Sequence, residues 1–139
     1  MAKRLKGIYV LIIQVNQAIQ PKIGALGELT FTEGLYAYVG SAQNNLELRV
    51  ARHRRRKKSL FWHIDYLLNN EAAKVVAVYY KLGRKTEECK IASFLKANAQ
   101  PIAGFGCSDC PCSSHLFHAQ NFDFLRGYVQ PLKAQDENS

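Results

Sequence analysis

No apolar run in this chain approaches the roughly 20 residues that a membrane span requires, and the basic start, Met1 to Lys6, is not followed by an uncharged signal segment and small-residue cleavage site. These absences argue against a membrane protein and place the expected location in the cytoplasm. Cysteine is sparse and uneven: three of the four fall between Cys107 and Cys112, which does not suit a disulfide framework. No internal repeat or low-complexity tract is visible. Carboxylates are scarce where they matter most, because Glu47 is the only one between Gly34 and Ile64.

What is present is a globular composition, 47% hydrophobic over 139 residues, enough for one domain with a proper core. The net charge is +8, and seven of the nineteen Lys and Arg lie between Arg49 and Lys58. So concentrated a positive field favours a polyanion such as nucleic acid, although a basic run also suits a merely solvated helix face. The charge leaves RNA open beside DNA, and nothing in the sequence fixes an oligomeric state.

Ile8 to Val15 reads as a first strand and Lys74 to Leu82 as the clearest one. Between them, Leu35, Ala37 and Val39 alternate with Tyr36 and Tyr38, giving a strand with one aliphatic and one phenolic face. Asn16 to Gly34 reads as an inserted extra strand or hairpin. Asn44 suits an N-cap, with Glu47 three residues on, for a helix running into the basic segment. That helix sets Arg49, His53 and Arg56 on one face, with Arg52 beside them. Ser59 is expected to cap a second helix to Asn69, with Phe61, Ile64, Leu67 and Leu68 inward and Trp62, His63 and Asp65 flanking. Thr86 caps a third through Lys96, with Ile91, Phe94 and Leu95 inward. The domain is expected over residues 1–129, with Phe117 to Val129 adding a strand or packing over the core and 130–139 as a polar, disordered tail.

Gly7-Ile8-Tyr9 and Tyr38-Val39-Gly40, followed by a helix with Arg and His, resemble the GIY-YIG nuclease superfamily. The closest resemblance is to its prokaryotic branch called domain of unknown function 123, found alone or fused to endonuclease III glycosylases. Supporting segments are Tyr-Val-Gly-Ser-Ala (38–42), Arg-Val-Ala-Arg-His (49–53), Trp-His-Ile-Asp-Tyr-Leu-Leu (62–68), Glu-Cys-Lys-Ile-Ala (88–92) and Gly-Cys-Ser-Asp-Cys-Pro-Cys-Ser-Ser-His-Leu-Phe (106–117). The interval between the two tyrosine motifs is longer than the short hairpin of the homing and repair nucleases. The resemblance implies an α+β fold: a small central antiparallel sheet flanked by helices, with the inserted hairpin and a C-terminal Cys/His segment added.

It also implies a Mg²⁺- or Mn²⁺-dependent endonuclease acting on DNA, with a place in DNA repair and an endonuclease III-type glycosylase as a partner. Tyr9, Tyr38, Arg49, His53 and His63 map to the catalytic positions, and Glu88, rather than Glu87, to the metal ligand. Arg52, Arg54, Arg55, Arg56, Lys57 and Lys58 would contact the nucleic acid. Each residue has a plainer reading too: strand packing for the tyrosines, fold support for His63, dipole-favoured first-turn acids for Glu87 and Glu88. Cys107, Cys110, Cys112 and His115 have the residue types of a zinc site, but the spacing is more compact than two knuckles allow. Reduced thiols in a tight loop are favoured over zinc. The rival function is a non-catalytic nucleic-acid-binding module of the same fold.

Overall fold

The computed structural model describes residues 5–55, 59–106 and 114–132. In chain order they form β1 (Gly7–Val15), β2 (Gly34–Ala42), α1 (Leu46–Arg54), α2 (His63–Leu68), β3 (Ala73–Leu82), α3 (Thr86–Asn98), β4 (Gln100–Pro101), β5 (Leu116–Ala119) and β6 (Gln130–Pro131). Among the described residues this is an α+β fold: six strands in the order β4-β5-β2-β1-β3-β6, every neighbouring pair antiparallel, and three α-helices. No helix among them is long and apolar enough to cross a membrane.

β1 is a nearly unbroken aliphatic run because it lies at the centre of the sheet and both its faces are covered; only Gln14 is exposed. Ile8, Val10 and Ile12 join Ala37 and Val39 of β2 on one face, under Ile91, Ala92 and Leu95 of α3. Tyr9, Leu11, Ile13 and Val15 join Tyr36 and Tyr38 on the other, under Leu46 and Val50 of α1 and Ile64 and Leu67 of α2. The alternation expected along β2 is therefore present, with phenols and aliphatics on opposite faces.

The segment before β2 is hairpin-like, but isolated bridges, Ile19 to Phe31 and Lys22 to Glu28, close it in place of a ladder. Pro21 lacks an amide donor, and a 3-10 turn at Gly24–Leu26 bends the chain. Ile23 and Phe31 still reach the core.

The helix boundaries differ from expectation. Asn45, not Asn44, caps α1, its side chain accepting from the Leu48 amide at 3.1 Å. The helix ends at Arg54 and Arg55 is extended, so the basic segment is not one continuous helix; Arg56, Lys57 and Lys58 lie outside the described residues. α2 starts at His63 and not after Ser59. Phe61, expected in the core, is 76% exposed, whereas Asp65, expected on the flank, is fully buried. Asp65 Oδ2 accepts from the amides of Phe61 and Trp62, and Arg52 forks onto both its oxygens at 2.9 and 3.1 Å. That arrangement fixes residues 61–62 ahead of the helix and turns Phe61 outward. Thr86 is the first residue of α3 and not its cap. Gln130 and Pro131, assigned to the tail from sequence, pair with Tyr80 and Tyr79, and Leu132 is buried.

Candidate active site

Tyr9 and Tyr38 come from β1 and β2 on the same face, with ring centroids 6.5 Å apart. The Tyr9 ring lies over the backbone of Gly40, its register partner on β2. A Cβ at Gly40 would collide with the phenol, so the glycine of Tyr38-Val39-Gly40 is there to let the first tyrosine lie down. Gly106 meets a similar demand, with φ of +75° and the Tyr38 ring and His115 close by.

Both phenols lie in a cleft of about 490 Å³ whose lining also includes Arg49, His63, Lys85 and Glu88. Arg49 is steadied by a hydrogen bond from Nη1 to the Ser41 carbonyl, 3.1 Å, and its guanidinium lies 4.7 Å from the centre of the Trp62 ring. The Tyr9 hydroxyl is 2.7 Å from His53 Nε2. Burial pushes the Tyr9 phenol well above its ordinary pKa, and the charge and hydrogen bond of Arg49 pull in the opposite direction. The phenol is neutral at pH 7, and it shares with His53 Nε2 one hydrogen bond whose donor is set by the His53 tautomer. Tyr38 is raised by burial as well, with Tyr9, Glu88 and Asp65 reinforcing the shift and Arg49 opposing it.

His63 accepts a hydrogen bond from the Gly106 amide at Nδ1, 2.8 Å, and burial lowers its pKa. Both features favour a neutral imidazole carrying its proton on Nε2. Glu88 is the one carboxylate among the described residues lining the cleft. Its Oε1 is held by His115 Nδ1 at 2.9 Å, with the His115 side chain buried and that of Glu88 largely so. Glu87, its neighbour, faces Lys81 and Lys90 in surface ion pairs.

The expected site residues thus divide. Tyr9, Tyr38, Arg49, His63 and Glu88 line one cleft, with His53 bonded to it from behind. Arg52 is committed to Asp65 and the Ser59 carbonyl. Arg54 and Arg55 line, with Lys74 and His53, a separate pocket of about 140 Å³. Cys107, Cys110 and Cys112 lie outside the described residues, while His115 reaches Glu88. No pairwise signal in the sequence joins His115 to Glu88 or Arg52 to Asp65; the acid among the apolar residues of Trp-His-Ile-Asp-Tyr-Leu-Leu (62–68) was the one available hint.

Fold and cleft together define an α+β protein on an antiparallel sheet, with tyrosine, arginine, histidine and glutamate gathered at one place. The family model for the domain of unknown function DUF123 matches residues 8–135, and the chain belongs to that family. No curated protein and no solved structure matches it.

Proposed function

We propose that the cleft hydrolyses phosphodiester bonds of DNA as a metal-dependent endonuclease of the GIY-YIG type. The observation that carries this reading is the convergence of Tyr9, Tyr38, Arg49 and Glu88, which are far apart in sequence, on one cleft. Hydrolysis needs a base for the attacking water, charge neutralisation at the phosphoryl oxygens, and help for the leaving oxygen. Arg49 offers a planar donor fork to the non-bridging oxygens, with Nη1 already braced by Ser41. With His53 in the tautomer that leaves Nε2 unprotonated, Tyr9 acts on water by relay: as the water oxygen attacks phosphorus, its proton moves to the Tyr9 oxygen while the phenol proton moves to His53 Nε2. Neutral His63, with Nε2–H, is a donor for the leaving oxygen or a phosphate oxygen.

Glu88 suits a hydrated Mg²⁺, which binds through one or two carboxylates and keeps most of its waters. Oε1 is oriented by His115, Oε2 makes no ion pair among the described residues, and the cleft has room for a hydration shell. When bound there, the ion supplies positive charge against the phosphoryl group.

A second reading, a nucleic-acid-binding module without turnover, draws support from the same pair, because His115 already satisfies part of the Glu88 carboxylate. The experiment that separates the two is incubation with nicked, branched and single-stranded DNA in Mg²⁺ or Mn²⁺. Products that require the metal support the nuclease; binding without products on all three forms supports the module.

A further inference from the structure

Phe61 stands at the cleft with 76% of its surface exposed. It is not displayed from a loose loop. Its own amide and that of Trp62 both donate to Asp65 Oδ2, at 2.9 and 2.8 Å, and Arg52 clamps that carboxylate. The ring meets Trp62 edge to face, centroids 5.6 Å apart at 85°. Trp62 is in turn covered by two guanidiniums, those of Arg49 and Arg52, at 4.7 and 4.4 Å from its centre. A water-facing aromatic ring on a hydrogen-bonded backbone therefore sits beside the cation best placed to hold a phosphate. Both the Phe61 ring, at 5.6 Å, and the Arg49 guanidinium, at 4.7 Å, contact Trp62, and both line the same cleft.

We propose that Phe61 is a stacking platform for an unpaired nucleobase, so that the cleft takes a nucleic-acid strand with a base outside a duplex stack. The proposal rests on the nucleic-acid reading of the cleft but not on cleavage. Charge selects the class of partner: the cleft carries Arg49 and Lys85 against one carboxylate, in a chain of net charge +8. Stacking selects the state of the strand. Bases inside a duplex already have neighbours on both faces, whereas a base at a gap, flap or single strand offers a face to an aromatic side chain.

The test is equilibrium binding in EDTA, which prevents turnover, using a short DNA single strand containing 2-aminopurine, the same strand with abasic sites, and the matching duplex. The expected result is quenching of 2-aminopurine by the wild type and preference for the base-containing single strand. Phe61→Ala should lose the quenching and roughly 10- to 100-fold in affinity for that strand, with the salt dependence unchanged because no phosphate contact is removed. Phe61→Tyr should retain both properties and Phe61→Leu should behave as Phe61→Ala, separating stacking from simple apolar contact. Equal affinity and equal quenching in wild type and Phe61→Ala would overturn the proposal while leaving the nucleic-acid reading in place, and would turn attention to a protein contact for the ring. Failure of the wild type to bind any of the three DNAs would remove the nucleic-acid reading and this proposal with it.

Discussion

Against α3, β1 and β2 present Ile8, Val10, Ile12, Ala37 and Val39; against α1 and α2, the same strands present Tyr9, Leu11, Tyr36 and Tyr38. The first face holds aliphatic side chains in an apolar layer. The second carries hydroxyl groups into the interior, and each needs a partner: Tyr9 finds His53 and Tyr36 donates to the Thr32 carbonyl. Burying a phenol where an aliphatic would pack as well adds a polar group that must be satisfied. The strands carry that cost on the face where a cleft opens and avoid it on the other. Under the proposed function, the side chains that would do chemistry come from one side of the sheet only, and substitutions on the two sides should have different signatures.

The largest expected effect is on the phenolic side. Tyr9→Phe keeps the ring over Gly40 but removes the hydroxyl, so turnover should fall by about 10² to 10⁴, the range for loss of a general base, while loss of the buried hydrogen bond to His53 should cost about 1–3 kcal/mol of stability. A fall in turnover explained by the loss of folded protein alone would erase the difference between the two sides.

Two arginines on α1 sharpen the comparison. Arg52→Ala leaves Asp65 buried without its partner and should cost about 3–5 kcal/mol, read as a fall in melting temperature of roughly 10 °C or more. Arg49→Ala removes hydrogen bonds to the Ser41 carbonyl and the Tyr9 phenol and a ring contact, which should cost about 1–2 kcal/mol of stability yet depress cleavage. An Arg52→Ala protein as stable as Arg49→Ala would contradict the structural role given to the Asp65 clamp.

On the aliphatic side, Leu95→Ala opens a cavity under α3 and should cost about 2–5 kcal/mol in chemical denaturation, with cleavage per folded molecule unchanged.

The smallest effect is a pH dependence that both sides share but the phenolic side causes. His63 protonates with an ordinary value of 6.5 when unfolded and with a lowered one when folded. Below 6.5 the unfolded chain therefore binds more protons, and stability should fall as pH drops. Asp65, also lowered, adds a second loss as pH falls below its ordinary 3.8. There Arg52, Trp62 and Phe61 hold the carboxylate against the opposing effect of burial. Tyr9 and Tyr38, raised by burial, work in the other direction, with stability lost above pH 10 because the unfolded phenols ionise first. Melting temperature followed from pH 3 to 11 should trace a dome, and His63→Gln should flatten its slope between pH 5 and 7.

The three long strands and α3 were legible in sequence because each follows a local rule: aliphatic runs for β1 and β3, strict alternation for β2, helical spacing of Ile91 and Leu95 for α3. The grouping of Tyr9, Tyr38, Arg49 and Glu88 was legible only through motif resemblance, since no periodicity joins residues 79 positions apart. What escaped were contacts made across sequence. Arg52 looked like one more member of a basic face, because its partner Asp65 lies beyond the segment that defines the charge run. The same clamp moved the start of α2 and expelled Phe61 from the stripe its spacing suggested. His115 was grouped with the nearby cysteines by residue type, whereas its described partner is Glu88 on another element. The order past Val129 was hidden for a related reason: a polar composition says nothing of the free edge of β3, where Gln130 and Pro131 pair and the Leu132 amide reaches the Val78 carbonyl at 2.8 Å.

The most direct test uses two neighbouring acids that the fold sends to different places. Glu88 lines the cleft beside His115, and Glu87 sits among surface lysines. Cleavage of nicked, branched and single-stranded DNA in Mg²⁺ would be measured for wild type, Glu88→Gln and Glu87→Gln, with binding measured in parallel. Glutamine at 88 keeps an oxygen for His115 but removes the charge that would hold the metal. Glu88→Gln should bind DNA at least as well as wild type and not cut it, while Glu87→Gln should cut normally. Cleavage by Glu88→Gln at the wild-type rate, or no metal-dependent cleavage by the wild type on any of the three DNAs, would contradict the nuclease reading.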